Sequence, residues 1–182
     1  MNNTDHSRQA SSVNELLDRL LQHHHPYTKA ALIKLSPLTE QVMRMHGARH
    51  PELAQLASLF RRLHDDMDMH LMKEENILFP YITKLNGSTT PAPPPFGTIA
   101  NPIRVMMAEH DTDRAILDKM LEITHDFTLP AYACASFTAL YQGLHALVKD
   151  LLQHMDLENN RLFPLAIEME KDKLALLNDE AC

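Results

Sequence analysis

The tract HLMKEENILFPYI at residues 70–82 returns as HMDLENNRLFPLAI from residue 154, with His70/His154, Glu74/Glu158, Asn76/Asn160, Leu78/Leu162, Phe79/Phe163 and Pro80/Pro164 each 84 residues apart. Such a repeat restricts the fold severely, because whatever packs around one copy has to be built a second time around the other. The resemblance extends upstream. HPYTKAALIKL from His25 aligns with HDTDRAILDKM from His110, pairing Ala30 with Ala115, Leu32 with Leu117 and Lys34 with Lys119, with Lys29 and Arg114 similar. Each half therefore carries a histidine and then, 45 or 44 residues later, a His-x-x-x-Glu.

The residues that join these landmarks are helical by pattern. Apolar side chains recur at three- and four-residue spacings through long tracts, glycine is scarce (4 residues), and almost no stretch alternates in polarity. The pattern predicts helices over about 12–45 (bent near Pro37), 51–85, 102–127 and 133–177. Pro51 and Pro102 suit first-turn positions, where the backbone N–H has no partner in any case. The segment NGSTTPAPPPFGTIAN (86–101) is too long and too proline-rich for a tight helix hairpin, so it is expected to cross between two helix pairs. The expected fold is all-α, a four-helix bundle of up-down pairs with a Pro-rich crossover, in one domain spanning residues 1–182, with 1–11 flexible. Pro80 and Pro164 fall inside two of these helices, and their matched positions predict a kink shared by both copies.

The helical faces give the repeat its chemistry. Positions i and i+4 lie on one face, so each His-x-x-x-Glu aims an imidazole and a carboxylate at one point. In the second helix the stripe Leu56, Phe60, Leu63, Met67, Ile77 and Tyr81 contains His70 and Glu74; in the fourth, Phe137, Leu140, Leu144, Leu147, Leu151, Leu162 and Leu165 contain His154 and Glu158. Two glutamates facing each other in an apolar interior are unfavourable unless a cation lies between them. The repeat register selects His25 over its neighbours, and His25 shares a stripe with Leu17, Leu21, Thr28, Leu32 and Leu35. His23 and His24 are expected at the surface, and His6, His50, His64, His125 and His145 as structural or exposed residues. His46 has no counterpart in the second half, so spacing leaves open whether it is a helix cap, a surface residue or a ligand. Four imidazoles and two carboxylates without a cysteine ligand favour two iron or manganese ions; these donors also accept zinc.

Composition narrows the class. A formal charge of −7 without a basic cluster argues against a nucleic-acid partner. No apolar run approaches the ~20 residues of a membrane span, and no basic-then-apolar leader is found, so the expected location is the cytoplasm. Cys134 and Cys182 lack metal-type spacing and predict neither a disulfide framework nor a thiolate site.

Taken in order, HHHPYTKA, HLMKEENILFPYI, PIRVMMAEHD and HMDLENNRLFPLAI resemble the hemerythrin-like di-iron domain of the RIC (repair of iron centers) family over nearly the whole chain. The resemblance implies metal ligands at His25, His46, His70, Glu74, His110, His154 and Glu158. His46 enters on that ground alone. Oxygen-carrying hemerythrins are less similar, since they place a His-x-x-x-His pair on the third helix, where this chain has Arg114 four residues after His110. Family members typically begin with a small domain bearing adjacent cysteines; this sequence departs from the pattern by starting directly at the bundle. The implied cofactor is two non-haem irons with an oxo or hydroxo bridge. With two bridging carboxylates and five imidazoles, about one of roughly twelve octahedral positions stays open for nitric oxide, oxygen or peroxide. The implied function is nitrosative or oxidative stress defence supporting iron–sulfur cluster repair, with iron–sulfur clients and an electron donor as partners. A reversible oxygen or nitric oxide sensor or reservoir, and a di-iron oxidase or peroxidase, are the alternatives; turnover itself is left open.

Overall fold

The computed structural model describes residues 12–87, 89 and 91–180, of which 176–180 by backbone alone. Four helical rods account for nearly all of it, and no strand occurs among the described residues. Helix α1 spans residues 12–46, α2 residues 52–85, α3 Ala100–Ile123 and α4 residues 135–180. The rods alternate in direction. The α1–α2 and α3–α4 turns lie at one end of the bundle and the 86–99 crossover at the other, as the sequence predicts. The expected flexibility of residues 1–11 falls outside the described residues.

Two apolar clusters fill the interior, one toward each end. The larger takes Leu32, Leu35 and Val42 from α1, Leu53 to Leu71 from α2, Ile116 to Met120 from α3 and Phe137 to Met155 from α4. The smaller takes Val13 to Leu20, Leu78 to Leu85, Ile103 and Met106, and Leu157 to Met169. Each fully buried leucine or phenylalanine in these clusters stabilises the fold by about 1.5–3 kcal/mol relative to exposure. Gly143 permits the close approach of α4 to α1, since a Cβ there would meet Leu35 Cδ2 at 2.6 Å. At the crossover end, the buried carboxylate of Glu170 on α4 accepts the Ile99 N–H (2.9 and 3.0 Å) and the Tyr81 hydroxyl (3.0 Å), so an anion caps the start of α3.

Three of the rods depart from the α-helical register, and always beside a histidine or glutamate of the repeat. Single π-helical turns occupy Leu20–His24, Glu74–Leu78 and Glu158–Leu162, closed by N–H to C=O bonds from His25 to Leu20, Phe79 to Glu74 and Phe163 to Glu158. The expected proline kink resolves into this feature. Two of the wide turns end just before Phe-Pro and the third just before His25-Pro26, where the proline ring would otherwise press on the carbonyl four residues back. One extra residue turns the following helix by about 100°, which corrects the expected faces: Ile77 is 50% exposed and Tyr81 half-buried, while Leu78, Phe79, Ile82 and Leu85 face the core. On α1 the inward position likewise passes from Leu21 to Leu20.

Helix α3 ends at Ile123, short of the expected 127. His125, Asp126 and Phe127 follow with φ of 51°, 57° and 54°, a left-handed reversal that folds Phe127 back under the bundle. The Thr124 hydroxyl accepts the Phe127 N–H at 3.1 Å.

Candidate metal centre

Between the two apolar clusters lies one charged layer. His25 comes from α1, His70 and Glu74 from α2, His110 from α3, and His154 and Glu158 from α4; every one is at most 3% exposed. The rods approach in opposite directions, so residues far apart in sequence reach one level. Glu74 and Glu158 occupy the middle. His70 Nε2 lies 3.1 Å and His25 Nε2 3.5 Å from Glu74, while His154 Nε2 lies 3.0 Å and His110 Nε2 3.3 Å from Glu158. His154 Nε2 also comes within 3.9 Å of Glu74.

Proximity does not amount to hydrogen bonding here. All four carboxylate oxygens of Glu74 and Glu158 are buried without an aligned donor, as is His25 Nε2. Buried polar atoms normally find partners, so this many orphans converging on one point fit a bound cation. The donor atoms fall into two sets, each within 4.8 Å: His25, Glu74, His154 and Glu158, and His70, Glu74, His110 and Glu158. Both carboxylates belong to both sets, an arrangement suited to bridging two ions.

Electrostatics describe the same tension. Burial and the neighbouring Glu158 push the Glu74 carboxyl up, whereas for Glu158 burial is outweighed by His154 and His110, which hold it down. Burial, reinforced by His154, depresses His25 to about 4; for His70 burial is overcome by Glu74, which carries it to about 9.

The imidazoles are oriented from behind. His25 Nδ1 meets Glu75 at 2.9 Å, and Lys29 Nζ holds both oxygens of that carboxylate at 2.7 Å. His70 Nδ1 meets Glu109 at 3.0 Å, and Lys73 pairs with Glu109. His110 Nδ1 meets the Asn159 carbonyl at 2.9 Å. Phe79 packs on His25 with ring centres 5.4 Å apart, and its repeat partner Phe163 stacks on His110 at 6.0 Å. The repeated Leu-Phe-Pro thus supplies an apolar floor under one imidazole from each half. Sequence reasoning missed Glu75, Glu109, Lys73 and Asn159; the pairing of Lys29 with Arg114 was the only trace of this shell.

Two expectations need correction. His46 does not join the layer: it lies 21 residues beyond His25 on the same rod, roughly 31 Å away at 1.5 Å per residue. Its Nε2 is instead 3.1 Å from Cys134 Sγ, which starts α4 and also meets the Ser136 hydroxyl at 3.1 Å. The Ser136 hydroxyl and then the Phe137 N–H hold the Cys134 thiol down to about 6. His24 is not at the surface: the π turn carries it inward to 4% exposure, where it bonds Asp150 at 3.1 Å and stacks on His154. His23 is exposed, as expected.

One further carboxylate lies near the layer. Asp113 on α3 is 1% exposed with both oxygens unpartnered. It borders a cavity of about 180 Å³ shared with Lys73, Glu109 and Asp66.

Comparison with known proteins agrees with this geometry. Residues 9–166 match the hemerythrin HHE cation binding domain. The chain is 36% identical over 167 residues to the iron-sulfur cluster repair protein YtfE of Dickeya chrysanthemi, covering 92% of this chain and 72% of that one. It is 34% identical to a probable iron-sulfur cluster repair protein of Haemophilus influenzae (89% and 69% covered) and 33% identical to YtfE of Escherichia coli (86% and 67%). Among the described residues no helix is long and apolar enough to cross a membrane. With a repeated His-x-x-x-Glu, a charged layer at mid-bundle and matches along nearly its whole length, the chain belongs to the hemerythrin HHE cation-binding family, among the YtfE-type iron–sulfur cluster repair proteins.

Proposed function

We propose that the layer is a carboxylate-bridged di-iron centre, with Glu74 and Glu158 bridging and His25, His70, His110 and His154 as terminal ligands, and that it serves iron–sulfur cluster repair under nitrosative or oxidative stress. The observation that carries this reading is the set of buried, unpartnered oxygens of Glu74 and Glu158 between four imidazoles. Four imidazoles and two carboxylates would hold two ions without filling their coordination, so that such ions could take further ligands. Iron held there would supply open positions for nitric oxide, oxygen or peroxide.

The protein's own groups set the conditions. Phe79, Phe163 and the two apolar clusters exclude bulk water, which strengthens each ion–carboxylate interaction. Glu75, Glu109 and Asn159 fix which ring nitrogen faces the centre. The likeness to iron–sulfur cluster repair proteins favours repair, with iron–sulfur proteins as clients, over a pure sensor or an oxidase. A single bundle domain acting in the cytoplasm completes the reading.

The test is to add nitric oxide to reduced, iron-loaded protein while following its optical spectrum, and then to offer the loaded protein to a cluster-damaged iron–sulfur protein. A saturable spectral change and recovery of the client's cluster are expected. No spectral response and no recovery would overturn the proposal.

A further inference from the structure

The repeat makes it possible to ask which imidazoles the protein holds hardest, because each ligand in one half has a counterpart in the other. The shell behind the ligands is not duplicated. Glu75, which backs His25, corresponds to Asn159 behind His110, so a charged acceptor becomes a neutral one. Lys29, which clamps Glu75, corresponds to Arg114, which turns to Asp118 at 3.4 Å. Glu109, which backs His70, corresponds to His24, and Lys73 corresponds to Leu157. As a result His154 Nδ1 is buried with no hydrogen-bond partner among the described residues, and a ring contact with His24 at 5.8 Å stands where His70 has a carboxylate.

The division follows the sequence halves and cuts across the two donor sets. One set contains His25 and His154, the other His70 and His110. Each ion would therefore meet one imidazole backed by a lysine-clamped carboxylate and one that is not. An acceptor carboxylate on Nδ1–H fixes the tautomer and makes Nε2 the stronger donor, an effect worth about 10–100-fold in metal affinity. A neutral amide does less and an unpartnered nitrogen nothing.

We propose that Glu75 and Glu109 are positioning residues that make His25 and His70 the anchoring imidazoles of the centre and leave His110 and His154 as the exchangeable ones. Metal then departs by releasing α3 and α4 first, while α1 and α2 keep their grip. This rests on the metal reading of the site and adds a direction of release to it, as suits a protein that yields iron to a client.

The test is loss of ferrous iron to a chromogenic chelator under anaerobic conditions from the full chain and three variants. Glu75→Gln and Glu109→Gln, which keep an acceptor but remove its charge, should lose iron about 10–100-fold more readily. Asn159→Asp supplies the carboxylate that the second half lacks and should retain iron longer than the parent. A purely structural role for the shell would not reverse sign in this way, and melting curves of the metal-free proteins check that all four fold alike. Should a Gln variant fail to load, Asn159→Asp decides alone. Equal rates across the series, or an Asn159→Asp protein no slower than the parent, would overturn the inference. A parent chain that binds no iron would defeat the metal reading instead.

Discussion

The charged layer and the larger apolar cluster share the same four rods, yet they hold them together in opposite ways. Around Phe137 the interior is complete as it stands: the ring is 1% exposed and sits 4.7 Å from Tyr141, 5.1 Å from His50 and 5.3 Å from His46. At the layer, four of six equally buried side chains, His25, Glu74, His154 and Glu158, present oxygens and nitrogens with no aligned partners. Close packing therefore stabilises the fold whatever is bound, whereas the layer stabilises it only with cations in place. The fold should survive loss of metal, and the metal should survive damage to the distal core.

The largest effect expected on this comparison comes from Phe137→Ala. Removing a fully buried ring should lower stability by about 3–5 kcal/mol in a denaturant titration, with iron content per chain unchanged. Loss of iron in that variant would show that the two regions are coupled.

Chelation under reducing conditions tests the other side. A ligand bound only by the native state at a hundredfold excess over its dissociation constant contributes roughly 2.7 kcal/mol, so the apo protein should melt roughly 5–10 °C lower. Its far-ultraviolet circular dichroism at low temperature should stay helical, because both apolar clusters persist. Coincident melting curves would remove the cation from the account.

Asp113 sharpens the boundary between the regions. Burial, aided by Asp66 and Glu109 and opposed by His70 and His110, raises its carboxyl from 3.8 to about 6. A carboxyl whose folded pKa exceeds its unfolded value binds more protons when folded, so stability falls as pH rises from about 4 to about 6 and stays lowered above that. In metal-free protein, Asp113→Asn should gain on the order of 1 kcal/mol at pH 7, and the gain should vanish below about pH 4. A gain independent of pH would point to packing rather than charge.

Much of this was legible before the structure. The 84-residue repeat placed His70, Glu74, His154 and Glu158, because an i, i+4 pair on an apolar stripe has one place to point, and its upstream extension at 85 residues added His25 and His110; the structure brings all six to one level. The π turns were not legible, since a face drawn at 3.6 residues per turn cannot anticipate an inserted residue. That one cause accounts for Ile77 facing outward, for His24 turning inward and for the prolines being accommodated. Their trace in the sequence was Pro26, Pro80 and Pro164, each two residues past the end of a wide turn. His46 failed for a different reason: family likeness supplied a residue, while the rise per residue already put it at the far end of α1. The shell of Glu75, Glu109 and Asn159 depends on contacts between rods, which spacing within one rod does not encode.

In the proposed centre Glu74 and Glu158 bridge two ions, while His46 stands apart from the layer. Iron per chain, measured on reconstituted parent, Glu74→Ala and His46→Ala proteins, tests it most directly. Two irons are expected in the parent, fewer than two in Glu74→Ala because a bridging carboxylate serves both ions, and two in His46→Ala. Full occupancy in Glu74→Ala, or loss of iron in His46→Ala, would contradict it.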